Sequence, residues 1–562
     1  MVDQVLTPPD LQVPERVNIA ELLSSYASRQ PDRAAVQVAS GSAANFQLKG
    51  VCYAELDSQS NRIARGLRER GMQVGDRVCV FVRPGVQLIA ITFGLLKAGA
   101  VPVLIDPGMG RKSLLDCVER MQPRGFVGIP LAHALRRVFK KAFRTVEWDI
   151  TVGSRFPFGG TSLDGLLKST ADDKFLEDTK CNQEAAILFT SGSTGPAKGV
   201  TYTHGNFVAQ VLALKQLYKF EDGEIDAACF PLFALFSPGL ELSCVFPELD
   251  PSRPANCDPA RVVEGLLRSN ATSTFGSPAI WRRIVPWCLE NNVKLPRLRR
   301  VLIAGAPVPP SLVKGFHRIL SEDADIHTPY GATESLPVSS ISGREILELH
   351  AEHGEHAMGT CVGKPAPGID LELIRIEDGP LPKWSEELRS DPGAIGEICV
   401  RGAVVTHEYK FQQEASALSK IQAAEGFYHR IGDLGKLDAQ GRIWFQGRKS
   451  HRLQTATGLV PPVPTELLYN LAPGVHRTAL VGHGAAGAEE AVLIIECEPG
   501  RSPMGKDSRA KFLDRLREHV AGKQGIADVR HFLFHPCFPV DVRHNAKIRR
   551  EELKRWAREQ LQ

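Results

Sequence analysis

The apolar run Ala185 to Phe189 ends abruptly in Thr190-Ser-Gly-Ser-Thr-Gly-Pro-Ala-Lys198-Gly199-Val200. Apolar sequence of that length, bounded by turn residues, reads as a buried strand. The loop at its end constrains the chain more than any other stretch. Hydroxyl residues, glycines and one lysine crowd the end of the strand, and a helical pattern runs from about Gly205 to Tyr218. Glycines let backbone N–H groups turn inward, hydroxyls donate hydrogen bonds, and a lysine is a point charge for a phosphoryl oxygen. The stretch therefore suits a polyphosphate at a strand-to-helix connection. The spacing of a Walker A loop is absent, and a plain flexible connection has much the same composition.

A buried strand needs a sheet. From Arg77 the chain reads strand (Val78 to Val82), helix (Val86 to Ala98) and strand (Val101 to Ile105), a βαβ unit of a parallel sheet flanked by helices. At 562 residues there is too much chain for one core. With 43% hydrophobic and 23% charged residues the composition is that of a soluble globular protein. A net charge of +4 gives no footing for nucleic acid. Twelve scattered cysteines without a C-x-x-C pair argue against a zinc or redox motif and for reduced thiols in a cytoplasm. The opening Met1-Val-Asp-Gln-Val-Leu-Thr-Pro-Pro is polar and turn-rich, unlike a secretory leader. The longest apolar run, Val86 to Leu96, is too short for a transmembrane segment.

The wording of the glycine-rich loop resembles the phosphate loop of the adenylate-forming superfamily of acyl-CoA synthetases, adenylation domains and luciferases, and other segments agree in order. Tyr53 to Asp57 and Leu95 to Pro102 match early packing motifs. Gly305-Ala306-Pro307 matches a turn that borders the adenine. Thr328-Pro-Tyr330-Gly331-Ala332-Thr333-Glu334 matches a nucleotide motif in which tyrosine offers a stacking face and threonine a phosphate donor. Glu334 is a hard oxygen ligand suited to Mg²⁺. The resemblance implies ATP as co-substrate, cradled by Thr190, Ser191, Gly192, Ser193, Thr194 and Gly195, with Lys198 on the departing pyrophosphate. It implies Mg²⁺ at Glu334 and Thr190. Asp433 then binds both ribose hydroxyls, as a carboxylate can, and Arg448 contacts ribose and phosphate.

The same resemblance implies an α/β fold. Residues 1–449 form a large N-terminal domain of βαβ layers with a small β subdomain. Residues 450–562 form a smaller, mobile α+β C-terminal domain carrying a catalytic lysine, Lys547. In that domain Thr478 to Val481, Ala491 to Ile495 and His531 to Phe534 read as strands, and Arg509 to Val520 and Lys547 to Gln562 as helices. Departures are visible. Ser450 stands where the superfamily's hinge has Asp or Lys. The segment Gly458 to Glu466, which helps form a pantetheine channel in CoA ligases, is one residue longer and has two extra prolines. Pro231 to Gly239 matches an acyl-pocket segment, with Ala234 in place of a histidine, as suits an aliphatic substrate.

Three segments, Tyr330 to Glu345, Leu249 to Pro254 and Val540 to Lys547, are similar to the β-lactone synthetases of bacterial long-chain olefin biosynthesis. That resemblance implies a long-chain 2-alkyl-3-hydroxy fatty acid, activated as its acyl-adenylate. Its own 3-hydroxyl then closes the lactone, so proximity replaces a second substrate. A long-chain acyl-CoA or acyl-carrier ligase is the alternative, and a non-catalytic nucleotide- or acyl-binding relative a third. No residue identifies the base for the hydroxyl; His204 lies close to the loop without such a role in the superfamily. The basic stretch Leu135 to Arg144 suits an anionic membrane, an acidic partner such as an olefin-pathway enzyme, or simply solvent. His350, His353 and His356, at i, i+3, i+6, suit a metal or a polar lid.

Overall fold

A computed structural model describes residues 11–41, 45–155, 160–190, 197–353, 358–523, 525–540 and 548–562. The βαβ unit is as expected. Strands Arg77–Phe81 and Val101–Leu104 pair in parallel across helix Val86–Lys97. That helix is buried nearly all round, so its sequence is apolar on every side. Its last residue, Lys97, is fully buried. The amine donates to Asp57 Oδ1 and Asn61 Oδ1, both at 2.6 Å. Burial lowers the Lys97 pKa, and Asp57 opposes the shift. The early motifs thus serve packing.

A seven-stranded sheet runs in the order Thr161–Ser162, Trp148–Thr151, Gly125–Gly128, Arg77–Phe81, Val101–Leu104, Glu184–Thr190, Lys198–Thr203. The last pairing is antiparallel and the others parallel. This corrects the strand-to-helix expectation. The glycine-rich stretch joins two strands of a hairpin in which Thr190 pairs with Lys198. The helix His204–Tyr218 comes after the second strand, opened by a reciprocal Thr203/Asn206 cap.

A fourteen-stranded sheet joins the strands of the second half of the large domain to the N-terminal strands Ala34–Ser40 and Gln47–Cys52. Its parallel part includes Ser273–Gly276, Arg300–Ile303 and the start of Asp325–Ala332. From Ser335–Ser342 onward every pairing is antiparallel, through Thr360–Pro365 and Ile443–Arg448 to Phe427–Leu437, which gives the expected small β subdomain.

The C-terminal domain pairs Val475–His483 antiparallel and Val529–Phe534 parallel to Glu490–Cys497. Alternate residues of the central strand face two cores. Leu493 and Ile495 pack with Phe512 and Leu516 of helix Lys506–Val520, whereas Val492 and Ile494 pack with Leu553 and Ala557 of helix Arg550–Leu561. Burial on both faces accounts for the unbroken apolar run there.

Two further expectations are corrected. The basic stretch is not one amphipathic helix. The helix Pro130–Val138 ends before Phe139, Phe143 is buried against Phe126, Arg136 pairs with Asp149, and Lys141 lies 3.3 Å from Glu119. Nor do the extra prolines stiffen a loop. Pro461 is the N-cap and Pro462 the first residue of helix Pro462–Asn470, where a missing N–H costs no intrahelical bond.

Candidate active site

A cavity of about 2050 Å³ opens between the two large sheets and reaches the C-terminal domain at Glu466, Arg477, Ile548 and Arg550. Gly305, Ala306 and Pro307 line it just after strand Arg300–Ile303. Gly305 takes a φ of +95°, a conformation that favours glycine and turns the chain sharply at the strand end. Tyr330, Gly331, Thr333 and Glu334 line the cavity at the hairpin between Asp325–Ala332 and Ser335–Ser342. A Cβ on Gly331 would stand 2.4 Å from the Ser335 carbonyl oxygen, so that turn admits no side chain.

Asp433 and Arg448 arrive from neighbouring strands as a register pair. The Arg448 guanidinium lies 3.0 Å from Asp433 Oδ1, and the Tyr330 hydroxyl donates to Oδ2 at 2.6 Å. Asp433 is 4% exposed. Burial and the neighbouring carboxylate push the Tyr330 hydroxyl well above its ordinary pKa, so it stays a donor.

Lys198 heads strand Lys198–Thr203 and also lines the cavity. Its Nζ sits 4.5 Å from the centre of the Tyr409 ring, and the Tyr409 hydroxyl donates to Glu334 Oε1 at 2.6 Å. Tyr409 belongs to none of the motifs legible in the sequence. The stretch around Tyr409 is strapped across both groups. Thr406 N donates to the Glu334 carbonyl at 2.9 Å, and Lys410 N to the Gly199 carbonyl at 2.7 Å. The structure thus brings Lys198, Gly305 to Pro307, Tyr330 to Glu334, Asp433 and Arg448 to one cavity. Of the other expected residues, Ser191 to Gly195, Lys547 and His356 lie outside the described residues, as do the side chains of Thr190 and His353.

Lys420, 8% exposed, is lowered to about 7 by burial, against the pull of Glu334. His204 is lowered to about 4 by burial, and its Nδ1 accepts the Ile19 N–H at 3.1 Å. It is a neutral packing residue.

The rest of the cavity is apolar. Leu88 and Phe93 of the buried helix, Leu104, Phe207, Phe233 and Phe236 line one part. Phe233 stacks on Phe275 with centroids 4.7 Å apart. Ala234 is fully buried in the core beneath and is not among the lining residues, so it does not shape the pocket as its motif position suggested. His350 lines the cavity. Among the described residues no cluster of three His, Cys, Asp or Glu side chains is placed to hold a metal.

The model of the AMP-binding enzyme family matches residues 23–410. The chain belongs to the AMP-binding enzyme family. Two olefin beta-lactone synthetases are similar to it along nearly their whole length. The one from Stenotrophomonas maltophilia (strain K279a) is 42% identical over 97% of this chain and 99% of its own. That from Xanthomonas campestris pv. campestris is 41% identical over 97% and 98%. Among solved structures, the anthranilate CoA ligase AuaEII in complex with anthranoyl-AMP superposes with a TM-score of 0.78, covering 98% of this chain and 99% of its own at 17% identity. This AMP-binding enzyme therefore shares its fold with a CoA ligase and much of its sequence with β-lactone synthetases. No helix among the described residues is long and apolar enough to cross a membrane.

Proposed function

We propose that this AMP-binding enzyme is an ATP-dependent β-lactone synthetase acting on a long-chain 2-alkyl-3-hydroxy acid. The observation that carries the proposal is full-length similarity, at 41–42% identity, to two olefin beta-lactone synthetases. The cavity supports it. Its volume of about 2050 Å³ exceeds the roughly 300–1,000 Å³ of ordinary small-molecule pockets, as a nucleotide together with a two-tailed lipid requires.

A carboxylate is a poor electrophile because its leaving group would be oxide. In the first step one carboxylate oxygen attacks the α-phosphorus of ATP and the bond to pyrophosphate breaks. In the second, the 3-hydroxyl oxygen attacks the activated carbonyl and loses its proton, the C–O bond to phosphate breaks, and AMP leaves with the four-membered lactone. Both steps need charge balance and positioning more than covalent help from the protein. Lys198, with Thr190 and Ser191 to Gly195, would hold the phosphates. Asp433 would accept the ribose hydroxyls while Arg448 and Tyr330 hold its carboxylate in place. Gly305 to Pro307 would border the base, and Lys547 would bridge carboxylate and α-phosphate. The C-terminal domain, from residue 450, would carry that lysine.

Glu334 lines the cavity and would offer Mg²⁺ a hard carboxylate oxygen, with the Thr190 hydroxyl as the second expected ligand. When bound, the ion supplies neutralisation of phosphate charge. Apolar walls around Phe233 and Phe236 would fold the chain and exclude water from the adenylate.

Product analysis tests the proposal. ATP, Mg²⁺ and a 2-alkyl-3-hydroxy acid should yield lactone, AMP and pyrophosphate without CoA. A thioester formed only with CoA would instead support an acyl-CoA ligase.

A further inference from the structure

Lys198 and Glu334 carry opposite charges on neighbouring elements, yet among the described residues neither forms an ion pair. Each is met by the same side chain. Tyr409, 5% exposed, gives its hydroxyl to Glu334 Oε1 at 2.6 Å and its ring face to Lys198 Nζ at 4.5 Å. Its backbone is fixed independently of both contacts. Tyr409 bridges Val200 on the lysine's strand, its N–H donates to Ser416 Oγ at 3.0 Å, and Thr201 N donates to the Glu408 carbonyl at 3.2 Å.

We propose that Tyr409 is a positioning residue that keeps the lysine and the carboxylate of the nucleotide site apart and aimed, each with its charge available. The inference rests on the reading of Lys198 as the phosphate cation and Glu334 as the metal ligand. A phenol is a neutral donor. It orients a carboxylate without cancelling its charge, as a lysine or arginine partner would. Likewise a ring face holds an ammonium by its quadrupole and leaves the N–H donors free.

The two contacts separate by substitution. Tyr409→Phe keeps the ring and removes the hydroxyl; Tyr409→Leu removes both. Calorimetric titration with ATP, with and without Mg²⁺, reads each contact directly. In Tyr409→Phe the metal-free ATP affinity should stay near wild type, while the tightening caused by Mg²⁺ falls about fivefold. In Tyr409→Leu the metal-free affinity should also fall, by about threefold. Wild-type behaviour of the Phe variant, or equal loss in both titrations, would overturn the proposal, and the Phe variant decides even if the Leu variant does not fold. Glu334→Gln separates the two readings. If it abolishes the Mg²⁺ effect while Tyr409→Phe leaves that effect at wild-type strength, only Tyr409's role is wrong. If Glu334→Gln leaves the Mg²⁺ effect intact, the assignment of Glu334 fails and this inference with it.

Discussion

Asp433 and Arg448 face each other across an antiparallel strand pair, with 3.0 Å between Asp433 Oδ1 and the guanidinium. Together with the Tyr330 hydroxyl on Oδ2, the pair holds a nearly buried carboxylate in one orientation at the cavity wall. A ligand diol meeting that carboxylate finds it already desolvated and aimed, so little reorganisation opposes binding.

Asp433→Ala should raise the KM for ATP about 30-fold or more, since it removes the acceptor and leaves Arg448 without its partner. Tyr330→Phe should cost less, about three- to tenfold, as expected for one hydrogen bond. Initial rates of AMP release against ATP concentration check both, and an unchanged KM in Asp433→Ala would remove Asp433 from the site.

Lys198→Ala should lower kcat/KM for adenylation by about 10²–10³, the usual cost of losing one preorganised charge at a developing anion. Pyrophosphate release measured in a single turnover isolates that step from lactone closure. The fold should survive, because Lys198 sits at the head of its strand and points its amine at a ring face.

Much of this site was legible in the sequence, for definite reasons. Gly305, Gly331 and Asp433 are dictated by close backbone approach and by a carboxylate's geometry, which leave a mark at fixed spacing. The βαβ unit at Arg77 to Leu104 comes from short apolar runs bounded by turns. Tyr409 was hidden because its partners lie 75 residues away at Glu334 and on the strand headed by Lys198. No local pattern encodes such a pairing. The strand Lys198–Thr203 was missed because it comes directly after the glycine loop and carries Lys, Thr and Tyr in place of an apolar run. The burial of Ala234 was equally invisible, since a 3₁₀ segment sends neighbours in different directions.

Stability should depend on pH through Lys420. Burial places its folded-state pKa at about 7, below the value of 10.5 in the unfolded chain. Between these values the unfolded state binds more protons, so stability rises with pH across that window, and below pH 7 the full penalty of a buried charge is felt. Lys420→Met should therefore flatten the rise of the unfolding midpoint between about pH 7 and 9. An unchanged slope in thermal unfolding would show that Lys420 does not titrate there.

Leu88 is nearly buried and lines the apolar part of the cavity. Leu88→Trp should lower kcat/KM for the longest acids about tenfold or more while sparing short-chain analogues, because added volume in a packed wall is not absorbed. Rates measured across a chain-length series test this, and a uniform loss at every length would place the acyl chain elsewhere.

The most direct test of the acyl-adenylate route traces oxygen. With both carboxylate oxygens of the 3-hydroxy acid labelled with ¹⁸O, activation at the carboxylate predicts one ¹⁸O in the released AMP and one in the lactone carbonyl. Unlabelled AMP, with both labelled oxygens retained in the lactone, would mean that the hydroxyl was activated instead and would contradict that route.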